Sequence, residues 1–389
     1  MIFVRRASLR SFDLLISSSE NRCRQEKGIR SMKLAELGWN DYFAALFEPH
    51  RQSGLMAARV TTQHRERCLV SGERGNLLAE VSGRFRHEAP DRTAYPTVGD
   101  WVALEPFGRR RGLIHAVLER RSAFVRKTVG GVTEAQVVAA NVDAVFLVTG
   151  LDGDFNLRRI ERYLTTAWDS GASPVIILNK SDLRPDIDDI VAEVETIALG
   201  TPVEAVSALD GSNLDALRRH LAPGKTAALL GSSGVGKSTL INRLLGEERL
   251  ATAPVREGDS HGRHTTARRE LVVLPGGALL IDTPGMRELQ LWADDEGLAR
   301  SFVDVETLAA CCRFADCKHD GEPGCAVREA VSKGYLDAGR LENYHKQRKE
   351  LRHLALKQDS RARRQAEKEF GKKIASVMKD LKLRKPSYR

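Results

Sequence analysis

Residues Gly231 to Thr239 read G-S-S-G-V-G-K-S-T, directly after the apolar run Ala227 to Leu230 and directly before Leu240-Ile241-Asn242-Arg243-Leu244-Leu245. An apolar strand, a glycine-rich turn and an amphipathic helix in that order form a phosphate cradle, and they commit the chain to an α/β fold. Gly231, Gly234 and Gly236 keep the turn free of obstructing side chains. Backbone N–H groups, those of Ser232, Ser233 and Val235 included, can then point at anionic oxygens near the positive end of the new helix. Lys237 is placed to reach the β- and γ-phosphates. The Ser238 hydroxyl is placed to ligate Mg²⁺, with Thr239 beside it in the first helical turn.

The chain of 389 residues has room for two or three domains. No apolar run approaches the roughly 18 residues of a membrane span, so membrane contact is not expected. Formal net charge is +9, and the excess lies in the last fifty residues. Four of the six cysteines fall between Cys311 and Cys325 beside a histidine, while Cys23 and Cys68 stand apart. That grouping favours a metal in a reducing compartment over disulfides, and the cytoplasm is the expected location.

Residues 1–31 carry several Arg and Ser without a sustained period, and are expected to be disordered or to precede the true start at Met32. From Arg59 to Val117 the sequence breaks into five short strands, which suit a small closed barrel of the OB type. Phe85, Tyr95, Trp101 and Phe107 lie among Arg84, Arg86, His87, Arg92 and Arg109 to Arg111. Facing outward they would stack bases; facing inward they would fill the barrel, and Trp101 sits within an alternating strand that favours the inside. Arg120 to Lys127 reads as a basic link to the strand Ala144 to Thr149.

The strand Pro174 to Leu178 ends in Asn179-Lys180-Ser181-Asp182, an N-K-x-D guanine reader. The Asp182 carboxylate can accept from guanine N1 and N2, Asn179 can meet the base and tie neighbouring loops, and the Lys180 stem can lie along the ring. Adenine lacks the donor pair. After one helix and the strand Val203 to Val206 comes Ser207-Ala208-Leu209, whose N–H groups can touch guanine O6. Beyond the phosphate loop, the long polar stretch Ala251 to Thr266 is a candidate switch in which Thr265 or Thr266 reaches Mg²⁺ and the γ-phosphate. Asp282-Thr283-Pro284-Gly285 then offers the Asp282 carboxylate to Mg²⁺ through water and the Gly285 N–H to the γ-phosphate.

Ordinary GTPases carry the phosphate loop, switch Thr and D-x-x-G first, and N-K-x-D and S-A-x afterwards. Here the last two come first, so the order is circularly permuted. The order, together with V-G-D-W-V, Q-V-V-A-A-N-V-D, G-R-H-T-T, D-T-P-G and the Cys/His cluster, resembles the ribosome-small-subunit-dependent GTPase A family over roughly Met32 to residue 350. The resemblance implies an OB-fold (32–120), a circularly permuted GTPase domain (121–290) and a helical zinc-binding domain (291–355), followed here by a basic helical tail (356–389). It implies GTP hydrolysis to GDP, stimulated by the small ribosomal subunit during its late maturation, by a monomer. Met286 stands where a Gln would orient the attacking water, which a thioether cannot do. His264, beside the switch threonines, is the candidate for that role; Lys237 and Thr266 are the other candidate catalytic residues.

Cys312, Cys317, His319 and Cys325 supply a Cys₃His set suited to one closed, structural Zn²⁺. The family spacing selects Cys312 over its neighbour Cys311. The helical, basic residues from Leu341 onward are expected to contact rRNA phosphates. Two other functions are compatible with parts of the pattern. One is a GTP-gated rRNA-binding module with incidental hydrolysis, and the other a P-loop ATPase or kinase, against which Asn179 and Asp182 argue.

Overall fold

Five strands, β1 (Met56–Gln63), β2 (Cys68–Gly72), β3 (Gly75–Val81), β4 (Trp101–Phe107) and β5 (Arg111–Val117), close in the ring order β1-β2-β3-β5-β4-β1. All neighbours are antiparallel except β3 and β5, which makes a five-stranded barrel of the OB type. The computed structural model describes residues 32–356 apart from 65–66, 109, 128–134, 154, 250–268 and 283–294. The expected roles of His264, Thr265, Thr266, Gly285 and the tail 357–389 therefore fall outside the described residues.

The helix α1 (Asp41–Gln52) starts at Asn40, whose side chain accepts from the N–H groups of Tyr42 and Phe43. Its buried Phe43 and Phe47 lie in one cluster with Trp101. β4 begins with four buried residues because both of its faces are covered. Val102 and Leu104 point into the barrel interior, while Trp101 and Ala103 join the α1 side. Trp101 is thus core, its ring 4.7 Å from that of Trp39 and fully buried. Phe85, from the short helix α2 (Gly83–Glu88), meets Tyr95 edge-on at 5.8 Å, and Phe107 is exposed.

The segment expected to be a basic link is a strand, β6 (Ala123–Lys127), paired antiparallel with β7 (Ala135–Ala140). The charges of Arg126 and Lys127 sit at its far end. Phe124 and the apolar end of β7 are buried in the core of the next unit, so packing outweighs the polar composition.

That unit is a sheet in the order β10-β9-β8-β11-β13-β12. Its strands β8 (Ala144–Gly150), β9 (Ser173–Asn179), β10 (Val203–Val206), β11 (Thr226–Leu230) and β13 (Leu279–Asp282) are parallel, and β12 (Arg269–Val273) is antiparallel. The central strands are apolar throughout because both faces are covered. Helices α3 (Leu157–Asp169) and α4 (Ile187–Ile197) pack on one face, α5 (Leu214–Arg219) and α6 (Lys237–Leu245) on the other. β12 also pairs with β1 through Thr62 and Glu270, so barrel and sheet form one hydrogen-bonded array.

A buried arginine clasps the two units. Arg59 donates to the carbonyls of Leu37 (2.5 Å), Gly99 (3.1 Å) and Asn141 (3.1 Å). Burial pushes its guanidinium down to about 10, partly offset by the charges of Asp143 and Asp100. Asn141 also donates to the Gly99 carbonyl, so an Arg59→Met change orphans the bonds to Leu37 and Asn141. At about 1–3 kcal/mol per abandoned buried acceptor, the variant should lose about 2–6 kcal/mol of stability in a denaturant titration. An unchanged midpoint would contradict the clasp.

After Asp282 the described chain resumes as helices: α7 (Asp295–Ser301), α8 (Val303–Ala309), α9 (Ala326–Ser332) and α10 (338–356). Leu298, Phe302, Val305, Val327, Tyr344 and Leu351 form a separate small core there. No described helix is long and apolar enough to cross a membrane.

Candidate functional site

The parallel strands bring their carboxyl ends to one edge. Gly150 on β8 and Val206 on β10 are both level with Asn179 on β9, and Leu230 on β11 is level with Leu147 on β8. Each strand therefore delivers the loop that follows it to the same crevice. The phosphate loop leaves β11 between the neighbours β8 and β13.

Two glycines of that loop have no substitute. A Cβ at Gly231 would lie 2.2 Å from the Val148 carbonyl oxygen, and one at Gly236 would lie 2.2 Å from Asn179 Nδ2. Gly236 also caps α6 with φ 94, a left-handed conformation. Lys237 is buried, and its ammonium donates to the carbonyls of Gly231 (2.6 Å) and Ser232. Ser238 and Thr239 follow half-buried in the first turn, with Ser233 and Gly234 exposed at the loop's tip.

Asn179 joins three motifs that are separate in sequence. Its Nδ2 donates to the Val235 carbonyl at 2.7 Å, and its Oδ1 accepts from the Ala208 N–H at 2.9 Å. The guanine-reading candidate, the S-A-L loop and the phosphate loop are thus hydrogen-bonded to one side chain. Ser207, the first residue of the S-A-L loop, is fully buried, and its N–H donates to the Ser212 carbonyl. From α6, Arg243 donates to the carbonyls of Ala208 (3.0 Å) and Leu209, bracing the same loop from behind. Lys180 takes a left-handed φ of 67 and pairs with Asp152 in the loop after β8. Asp182 is exposed in the short turn Ser181–Leu183. Asp282 ends β13, level with Glu270 on β12.

Sequence reasoning missed Asp152, Arg243, and the pair Arg159 and Tyr163, both of which approach the Ser232 hydroxyl at 2.8 and 3.3 Å. Asp152 carried a usable signal, since it lies in the loop after a parallel strand whose neighbours bear the motifs. The others reach the site from helices, and only packing reveals them.

The second cluster lies in the segment between α8 and α9. The ligand atoms of Cys312, Cys317, His319 and Cys325 all lie within 4.8 Å of one another. Cys312 Sγ is 3.9 Å from Cys325 Sγ and 3.6 Å from His319 Nδ1, and Cys325 Sγ is 3.5 Å from the same nitrogen. This set can hold one metal ion. Glu322 accepts from the N–H groups of Lys318 (2.9 Å) and Asp320 (2.8 Å), which hold its carboxyl down at about 2 and shape the loop that carries His319.

Residues 117–292 match the family model described as RsgA GTPase. The chain is 52% identical over 353 residues to the small ribosomal subunit biogenesis GTPase RsgA of Opitutus terrae, covering 88% of this chain and 96% of that protein. It is 47% identical over 336 residues to the protein of the same name from Syntrophotalea carbinolica, covering 84% and 92%. Among solved structures, YjeQ from Thermotoga maritima aligns with a TM-score of 0.58 at 30% identity, over 76% of this chain and 98% of that one. YloQ, described as a circularly permuted GTPase, aligns with a TM-score of 0.57 at 24% identity over 77% and 96%, a likeness of fold. The N-K-S-D, S-A-L and phosphate-loop motifs meet at one strand edge, and relatives 47–52% identical align over 84–88% of this chain; the chain belongs to the RsgA GTPase family.

Proposed function

We propose that this chain binds GTP at the strand edge and hydrolyses it to GDP and phosphate while assisting maturation of the small ribosomal subunit. The observation that carries the reading is Asn179, which hydrogen-bonds both the phosphate loop and the S-A-L loop. One nucleotide would then meet Asp182, Asn179 and Lys180 with its base and the loop Gly231 to Thr239 with its phosphates; the Ala208 N–H, which donates to Asn179 Oδ1 in the structure, would turn to guanine O6 once the base is bound, beside Ser207, whose N–H is held by the Ser212 carbonyl. Mg²⁺ would be held by Ser238, by Asp282 through water, and by Thr265 or Thr266, with the Gly285 N–H on the γ-phosphate. Bound there, Mg²⁺ neutralises charge as the terminal phosphoryl group departs.

The metal at the Cys/His cluster is Zn²⁺ in this reading. With Zn–S near 2.3 Å, a regular tetrahedron has S···S edges of about 3.8 Å, close to the 3.9 Å between Cys312 and Cys325. Four protein ligands leave no open position, so the ion serves the fold. The protein would act in the cytoplasm as a monomer, the barrel and basic C-terminal residues facing rRNA phosphates.

The test of the whole is turnover of GTP against ATP, with and without purified small subunits. GTP-selective turnover that rises with subunits is expected; equal use of ATP, or indifference to subunits, would overturn the reading. Water activation is assigned to His264. An H264A variant should lose about 10²-fold or more in subunit-stimulated kcat, the usual scale for a positioned acid–base group, with GTP affinity nearly intact. An unchanged stimulated kcat would remove His264 from the mechanism.

A further inference from the structure

Helix α3 touches the phosphate loop with one flank and the Cys/His-bearing region with the other. On the first flank, Arg159 Nη1 donates to Ser232 Oγ at 2.8 Å and the Tyr163 hydroxyl lies 3.3 Å from the same atom. The Ser232 carbonyl in turn accepts from the Lys237 ammonium. Ser232 therefore connects the lysine that would meet the phosphates with a helix that does not otherwise belong to the loop.

On the second flank, Glu161 is fully buried and accepts from Arg158 (2.8 Å), Arg340 (2.9 Å) and Asn343. Arg162 makes a two-pronged pair with Glu350 at 2.8 and 2.9 Å. Arg340 continues onto Asp304 at 2.6 and 2.8 Å. A buried carboxylate held by two guanidinium groups is intolerant of small displacements, because moving one partner strands a charge in low dielectric. Motion of α3 must therefore be followed by α10, which carries Arg340, Asn343 and Glu350.

One buried group at this junction is left without partners. Gln347 lies on α10 seven residues after Arg340 and four after Asn343, on the same helical face. It is 1% exposed, and neither its amide nitrogen nor its amide oxygen has a hydrogen-bond partner. Leaving a buried amide unsatisfied is costly, so a shift of α10 along α3 that gave Gln347 partners would have a compensating gain. Two packings of similar free energy are what a ligand can bias.

We propose that α3 is a second, non-covalent line from the phosphate loop to the Cys/His-bearing region, beside the chain connection after Asp282, with Arg159 the positioning residue that brings Ser232 into it. The proposal rests on the nucleotide reading given above. Charge drawn to Lys237 shifts Ser232, Arg159 and Tyr163 move α3, and the Glu161 and Arg162 contacts carry the shift to α10.

Hydrogen exchange on the full, zinc-loaded chain tests this, comparing saturating GDP with a saturating non-hydrolysable GTP analogue and reading peptides within 338–356. In the parent protein the two nucleotides should change exchange there by about fivefold or more, the lower end of ordinary coupling between sites. The difference should vanish in R159A, with zinc content retained, and return in part in R159K. Should R159A fail to bind nucleotide, R162A replaces it, since Arg162 touches α10 and not the loop; with the Glu161 contacts still in place it should reduce the difference without abolishing it. Equal exchange with both nucleotides, or an undiminished difference in the variants, overturns the coupling. Failure of the parent protein to bind either nucleotide overturns the GTP site itself, which is a separate result.

Discussion

Replacing Asp182 by Asn should lower GTP affinity by about 10²–10⁴-fold and open the site to xanthosine triphosphate. The carboxylate is expected to accept from guanine N1 and N2, and hydrogen bonds to a charged group contribute about 1.5–3 kcal/mol each. Losing the pair costs about 3–6 kcal/mol, at tenfold per 1.4 kcal/mol. Xanthine keeps the N1 donor but carries a carbonyl at C2, and an Asn amide can accept from the first and donate to the second. Competition of labelled GTP with GTP, ATP and xanthosine triphosphate reads the effect. An unaltered preference for guanine would remove Asp182 from the base site. Its placement makes the swap a clean one, because Asp182 is exposed in a three-residue turn and the fold does not depend on its charge.

Stripping the metal, or replacing Cys325 by Ser, should unfold the segment around residues 311–325 and loosen the helices packed on it, leaving the parallel sheet intact. That segment contains no helix or strand. Its shape depends on the four ligands and on Glu322 holding the N–H groups of Lys318 and Asp320. Structural zinc contributes apparent folding free energies of about 10–16 kcal/mol in small peptides, and within 311–325 the only buried residues are the ligands Cys317, His319 and Cys325, so the segment has no apolar core of its own. Cys317 and Cys325 belong to the same core as Leu298, Phe302 and Tyr344, so the loss should spread into α8 and α9. Hydrogen exchange after chelation gives the outcome; unchanged protection there would show that the apolar core suffices alone. Acid release of the ion would come from protonation of the thiolates and imidazole.

Much of the site was legible because its chemistry sits at strand ends. An apolar run followed by a glycine-rich turn, or by N-K-x-D, marks both a strand and the edge to which it points, and the reversed motif order does not disturb that. Strand order was not legible: that β11 lies between β8 and β13 depends on packing across most of the chain. β6 was hidden because Arg126 and Lys127 dominate its composition, whereas its burial depends on β7 and the core beyond. α3 illustrates the same limit from the other side. The sequence describes an amphipathic helix, and nothing local announces that Glu161 is buried, since Arg340 and Asn343 arrive from the far end of the chain.

The central claim is that the base reader and the phosphate loop serve one nucleotide, and equilibrium binding of a labelled GTP to the parent chain, K237A, D182N and the double variant tests it most directly. One GTP per chain is predicted, with each single change weakening that same binding event by about 10²-fold or more, in line with the loss of charge-assisted contacts. Two GTP per chain, or a single change that leaves the affinity where it was, would mean that Asp182 and Lys237 do not share a ligand.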